Sequence, residues 1–196
     1  MKRPRVDIDL RPYFKGESRG SAVKSLIVCH ETVSYNRPGT LDITNVAAYM
    51  DSTGLEIHGI IDSEAHSAWC YDQRAIYDHA ASGQGNVNTR AIGFELVSEI
   101  PFLKNSVLRF NAWKKRRRQL DKLAHWCAWL HATEGIPLRY SDSSEPGITS
   151  HWDVSQRWLG GHGHWDCWPK HKPGGHFPML YVVNKAQQIY EASDAF

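Results

Sequence analysis

Two histidines stand where a strand should end. His30 closes the apolar run Ser25-Leu26-Ile27-Val28-Cys29-His30 and is followed by Glu31-Thr32, a place where side chains emerge at the edge of a sheet. His151 closes a second short stretch, Gly147-Ile148-Thr149-Ser150, and is followed by Trp152-Asp153-Val154. Beyond it lies a dense segment of potential donors, Gly160-Gly161-His162-Gly163-His164-Trp165-Asp166-Cys167-Trp168-Pro169. Two distant histidines plus a third nitrogen, oxygen or sulfur ligand leave one position of a tetrahedral zinc ion open, which is the makeup of a catalytic rather than a structural site. Residue type alone leaves the third ligand open among His162, His164, Asp166 and Cys167. Glu95 adds an acid–base group. It lies mid-strand in Ile92-Gly93-Phe94-Glu95-Leu96-Val97, where a carboxylate must either face solvent or find a cationic or metal-bound partner. Beside a metal-activated water it is a general base of the required type.

These groups need a frame. Ser25 to His30, Leu55 to Ile61, Ser67 to Tyr71 and Ala91 to Val97 read as strands, the second and third as a hairpin and the last as a central strand. Ile43, Val46, Ala47 and Met50 fall at helical spacing behind Asp42, a candidate N-cap. The pattern is helical again from Asn111 to Glu134, with Gly135-Ile136-Pro137 as a stop, and from Leu180 to Ala192. Strands interleaved with helices predict one α/β domain with a central mixed sheet packed by helices. Residues 1–22 read as a polar N-terminal arm and residues 23–196 as the catalytic domain.

Composition removes several classes. In 196 residues, 23 lysines and arginines against 21 acids give a net charge of +2, too small for a nucleic-acid binder. The run Lys114-Lys115-Arg116-Arg117-Arg118 points all round a helix and reads as a solvated first turn. A weaker reading of it is attraction to an anionic wall or phosphate polymer. The longest apolar run is five residues, Val46 to Met50, so no membrane insertion is expected. Met1-Lys2-Arg3 leads into Val6-Asp7-Ile8-Asp9 rather than the apolar stretch of a signal peptide. Cys29, Cys70, Cys127 and Cys167 are widely spaced and read as buried or free thiols, with Cys167 held as a ligand candidate. Eleven histidines and eight tryptophans are the anomaly.

Taken in order, strand-His30, His58-Gly59-Ile60-Ile61-Asp62, His79-Ala80-Ala81, Ile92-Gly93-Phe94-Glu95-Leu96, His151-Trp152-Asp153-Val154 and a Gly/Pro-rich close at Phe177-Pro178 resemble one family. It is the zinc-dependent N-acetylmuramoyl-L-alanine amidases of the type-2 amidase and peptidoglycan-recognition-protein superfamily, phage endolysins included. The resemblance spans about residue 24 to residue 190. It implies a zinc site at the floor of a surface cleft, with His30 and His151 as ligands and Glu95 as catalytic base. His79 matches the histidine of the family's Trp-His-Ala segment, which lines the substrate groove, with Asp78 where tryptophan often stands. The third ligand departs from the family's Asp-Pro-Gly or Cys-Pro-Gly ending. Alignment on His164-Trp165-Asp166 gives Asp166, alignment on Cys167-Trp168-Pro169 gives Cys167, and alignment backwards from Phe177 gives Lys172, which cannot coordinate. The oxyanion position, a lysine in many members, falls on His164 if Asp166 is the ligand, with Lys170 as the other candidate.

The implied activity is hydrolysis of the amide between N-acetylmuramic acid and L-alanine in peptidoglycan by zinc-activated water. The implied setting is a monomeric phage endolysin, held in the host bacterial cytoplasm until a holin releases it onto the wall. Two other readings remain: a non-catalytic peptidoglycan-binding module on the same scaffold, and a cytoplasmic muropeptide-recycling amidase. A zinc peptidase is disfavoured because no His-Glu-x-x-His helix is present.

Overall fold

A computed structural model describes residues 1–15, 23–33, 41–72, 75–77, 79–80, 84–161 and 166–194. The core of the sheet is the pair of apolar strands β2 (Leu26–Val33) and β5 (Ala91–Ser98), which run parallel in register from Leu26↔Ala91 to Val33↔Ser98. Strand β3 (Gly59–Ile61) lies parallel to β5 on one side, and β6 (Gly147–Ser150) lies parallel to β2 on the other. The hairpin partner β4 (Ser67–Trp69) is antiparallel to β3. The two-residue strand β1 (Ile8–Asp9) completes the order β1-β4-β3-β5-β2-β6. The expected mixed α/β sheet is present, with β5 central.

Strand side chains alternate between faces, and here the faces differ in character. Ile27 and Cys29 of β2 and Ile92, Phe94 and Leu96 of β5 join the larger apolar cluster. It is capped by helices α4 (Arg117–Glu134) and α6 (Met179–Asp194), with Leu123, Trp126 and Val182 among its buried members. Trp69 and Trp126 stack there with centroids 4.5 Å apart. On the opposite face, helix α1 (Leu41–Ser52) packs Ile43, Val46, Ala47 and Met50 against Ile57, Ile60 and Val97. His30 and Glu95 alternate onto this second face.

Four differences from the expected elements have local causes. The polar arm is tied down over its described part: β1 pairs with β4, and Leu10 and Phe14 are buried under α1's cluster. The second strand is short because only Gly59–Ile61 finds a neighbour, Leu55 remaining exposed. The Asn111–Glu134 helix is two helices, α3 (Ser106–Lys115) and α4, broken at Arg116. Its guanidinium turns inward to donate to the Val97 carbonyl at 3.3 Å and faces Glu99 at 3.6 Å, while Lys114, Lys115, Arg117 and Arg118 stay exposed. A further helix, α5 (His151–Trp158), starts at the second histidine itself. All four cysteines are free and buried. No helix among the described residues is long and apolar enough to cross a membrane.

The face covered by α4 and α6 holds a buried contact between a carboxyl and an imidazole. Glu31, adjacent in sequence to His30 and so on the other face, meets His176 with Oε2 to Nε2 at 3.0 Å, and both side chains are about 1% exposed. Ser98 Oγ sits 3.4 Å from the other carboxylate oxygen. Removing one partner leaves the other buried without compensation. His176→Leu is therefore expected to lower the free energy of unfolding in urea by about 1–3 kcal/mol, and the double change Glu31→Leu/His176→Leu to recover most of the loss.

Candidate metal centre

The parallel register assembles the site. Cys29 pairs with Ser150, so the next residues, His30 and His151, follow side by side: His151 leaves the sheet to start α5, while His30 stays in β2 and pairs with Glu95. Three neighbouring parallel strands thus set Glu95, His30 and His151 in one row, in the carboxyl-terminal halves of β5 and β2 and just past the end of β6, toward the side where open α/β sheets bind ligands. Helix α5 begins at that point because Ser150 caps it. Ser150 Oγ accepts from the Asp153 amide at 3.1 Å and donates to the Asp153 carboxylate at 2.6 Å. The Tyr140 hydroxyl donates to the other Asp153 oxygen at 2.7 Å. The cap fixes His151 as the first helical residue.

Asp166 completes the group. The Trp152 amide donates to the Asp166 carbonyl at 3.3 Å, tying its backbone to the start of α5. His30 Nδ1 lies 3.0 Å from His151 Nδ1, His151 Nδ1 lies 3.1 Å from Asp166 Oδ2, and His30 Nδ1 lies 3.4 Å from the same oxygen. Among the described residues this is the group of three histidine, cysteine or carboxylate donors placed to share a metal ion. Burial alone would raise the Asp166 carboxyl, but the charges and hydrogen bonds of His151 and then His30 outweigh it and hold the group well below the usual carboxylate range. Glu95 is the contrary case. Burial, with the nearby charges of Asp166 and Glu31, pushes its carboxyl well above the ordinary value. Its buried Oε2 accepts no hydrogen bond from any described residue.

The remaining candidates separate cleanly. Cys167 does not join the group: its side chain is wholly buried in the α4/α6 cluster, and burial raises its thiol well above the ordinary value. Its φ of 52° reverses the chain, so Asp166 and Cys167 project to different places. Lys170 is exposed, with its ammonium 5.4 Å from the Phe110 ring centroid, and the Lys172 ammonium lies over Tyr140 at 5.6 Å. His162, His164 and Asp78 lie outside the described residues. His79 is 8% exposed, and its Nδ1 lies 3.0 Å from His30 Nε2.

Sequence reasoning passed over the groups that hold His79. His58, read only as a strand marker, is fully buried: its Nδ1 accepts from the Gly93 amide and its Nε2 donates to the Ala75 carbonyl, both at 3.1 Å. Burial, then the Lys24 charge, keeps this ring's basicity well below that of free histidine. Gly93 leaves room for His79, since a Cβ there would come within 2.7 Å of its Nδ1. Lys24, 2% exposed, donates to the Ala75 and Thr89 carbonyls at 2.8 and 3.0 Å, tying together the two ends of the segment that carries His79. A glycine inside an apolar strand was the one available signal.

The fold is shared with solved hydrolases, an amidase among them. The Staphylococcus aureus hydrolase AmiA, solved in complex with its ligand, superposes with a TM-score of 0.65 at 19% identity, over 98% of this chain and 87% of that one. The endolysin N-acetylmuramoyl-L-alanine amidase LysCS of Clostridium intestinale superposes with a TM-score of 0.56 at 19% identity, over 95% of this chain and 97% of that one. A search of curated protein sequences finds no match. The fold class is that of the type-2 amidases. Residues 20–175 match the family model described as N-acetylmuramoyl-L-alanine amidase, and the chain belongs to that family. It is an amidase of peptidoglycan.

Lys24 gives this region a measurable pH dependence. Burial lowers its ammonium from an ordinary 10.5 to about 8. Below pH 8 folded and unfolded chains both carry the proton, and the cost of burying the charge is present in full. Between about pH 8 and 10.5 the folded chain binds fewer protons than the unfolded one, so this group makes stability rise with pH, by at most about 3 kcal/mol. Urea unfolding at pH 7.5 and pH 10 should show that rise in the parent relative to Lys24→Met. Parallel curves for the two proteins would show that the ammonium is not desolvated.

Proposed function

We propose that this amidase holds a zinc ion between His30 Nδ1, His151 Nδ1 and Asp166 and uses Glu95 as its proton carrier. The observation that carries the reading is the convergence of those three donors beside a buried carboxylate oxygen that finds no hydrogen-bond donor among the described residues. A tetrahedral zinc with bonds of 2.0–2.2 Å sets its ligand atoms about 3.3–3.5 Å apart, and the spacings here, 3.0, 3.1 and 3.4 Å, are close to that triangle. Two imidazole nitrogens and one carboxylate also match the ligand types of catalytic zinc, with a fourth position left for water or substrate. Bound there, zinc supplies Lewis-acid activation of a water molecule and of the scissile carbonyl.

The chain's own groups supply the rest. Glu95 Oε2 takes the proton released as water attacks the lactyl carbonyl, then delivers it to the departing L-alanine nitrogen. A carboxyl pushed upward in pKa by burial and by Asp166 holds that proton between the two steps more readily than an exposed glutamate would. His164, two residues before Asp166, is the proposed donor to the developing oxyanion, a contribution of roughly 3–4 kcal/mol in hydrolases. The proposed setting is an endolysin that acts as a monomer on the bacterial wall after release from the host cytoplasm.

Metal analysis of the purified protein should give one zinc per chain. Asp166→Ala is expected to lose it, and Cys167→Ala to keep it along with activity. Glu95→Gln should retain zinc while hydrolysing purified walls at least about 100-fold more slowly. Mass spectrometry of the digest should find free muramic-acid lactyl groups together with new L-alanine amino termini. A protein that binds muropeptides without stoichiometric zinc or hydrolysis is instead a binding module on the same scaffold.

A further inference from the structure

His30 presents its two ring nitrogens to different partners. Nδ1 faces His151 and Asp166, and Nε2 faces His79 Nδ1 at 3.0 Å. A neutral imidazole carries one proton and one lone pair, so the partner of Nε2 decides what Nδ1 can do. We propose that His79 is a positioning residue that accepts the Nε2 proton of His30 and thereby keeps the Nδ1 lone pair aimed at the metal. The inference rests on His30 being a zinc ligand, as proposed above, and gives His79 work other than lining the substrate groove.

Three observations point this way. The contact with His30 is the one hydrogen bond that His79 makes to a described residue, because its Nε2 is buried and has no partner there. The ring's orientation is set by groups outside the metal cluster. Gly93 makes the space, His58 stands edge-on at 5.7 Å and 82°, and the Ala80 amide next to His79 is held by Asn88 Oδ1 at 2.8 Å. The segment's ends are fastened by Lys24, and the same Ala75 carbonyl also receives His58. His79 therefore sits in a socket that holds it against His30, as an outer partner must to fix a ligand's tautomer. An imidazole acceptor also brings no negative charge, unlike the carboxylate more often found in this role. Asp166 then remains the sole anion among the three donors.

The test is zinc affinity of the full chain, stripped of metal and titrated against a chromophoric chelator. His79→Leu should weaken zinc binding by about 10–100-fold, while the unfolding temperature of the zinc-free protein stays close to the parent's. His79→Asn, whose amide oxygen takes the place of Nδ1, should restore most of the affinity. In the zinc-loaded parent, long-range ¹H–¹⁵N spectra should place the His30 proton on Nε2. Parent-like affinity in His79→Leu, an Asn variant as weak as Leu, or a proton on His30 Nδ1 overturns the proposal. In those cases the parent still binds zinc and the metal reading stands. A parent that binds no zinc overturns both.

Discussion

The parallel register of β5, β2 and β6 is the constraint on which everything else in the molecule depends. Hydrogen-bond pairing along β2 sets Glu95 beside His30 and makes His151 the next residue after a paired one. Because side chains alternate with period two, a slip of one residue in either ladder would send a functional group through the sheet into the apolar cluster. Register is secured by burial on both sides: Ile27, Cys29, Ile92, Phe94 and Leu96 fill one face, while Leu26, Val28 and Ala91 pack on the other. The apolar residues that read as a featureless strand are what hold the polar row in place.

A polar row inside such a frame is costly unless each group is answered. The structure answers most of them with short local contacts: Ser150 with Asp153 and Tyr140, His58 with Gly93 and Ala75, Lys24 with two carbonyls, Glu31 with His176. Several buried polar atoms find no hydrogen-bond partner among the described residues, indole nitrogens of Trp69, Trp113, Trp126 and Trp168 included, and one of these atoms, Glu95 Oε2, belongs to the residue that pairs with His30. Unsatisfied buried polar atoms are expected to mark strain or function. Glu95 Oε2 differs from the indole nitrogens in being an acid–base group, and it shares a row with His30, one of the three converging donors.

Much of this was legible in the sequence because it is encoded locally. The central strand bearing Glu95 and the helical spacing of Ile43, Val46, Ala47 and Met50 follow from periodicity, and each is found, whereas the strand expected to close at His30 runs on to Val33. What was not legible depends on contacts distant in sequence. At the break, the Arg116 guanidinium donates to the Val97 carbonyl, 19 residues away. The His58–Gly93 and Lys24–Ala75 contacts span 35 and 51 residues. No periodicity announces a histidine whose work is to receive a backbone amide. Helix α5 was missed for a different reason: its eight residues, set between a strand and a Gly-rich segment, give too short a repeat to stand out.

The choice between Asp166 and Cys167 shows most directly why composition could not decide. Both residue types bind zinc, and they are neighbours, so spacing favours neither. With φ at 52°, Cys167 turns the backbone so that its own side chain enters the α4/α6 cluster while Asp166 faces the histidines. A left-handed conformation is unfavourable for a side chain with a Cβ, so packing must hold it. Burial of the thiol, the stacking of Trp168 on Trp152 at 5.3 Å and 11°, and the Trp152–Asp166 backbone bond all act on this short turn. The same burial that supports the turn raises the thiol's pKa, which opposes the thiolate form a metal ligand needs. Packing, rather than ligand chemistry, thus assigns the carboxylate to the cluster and the sulfur to the core.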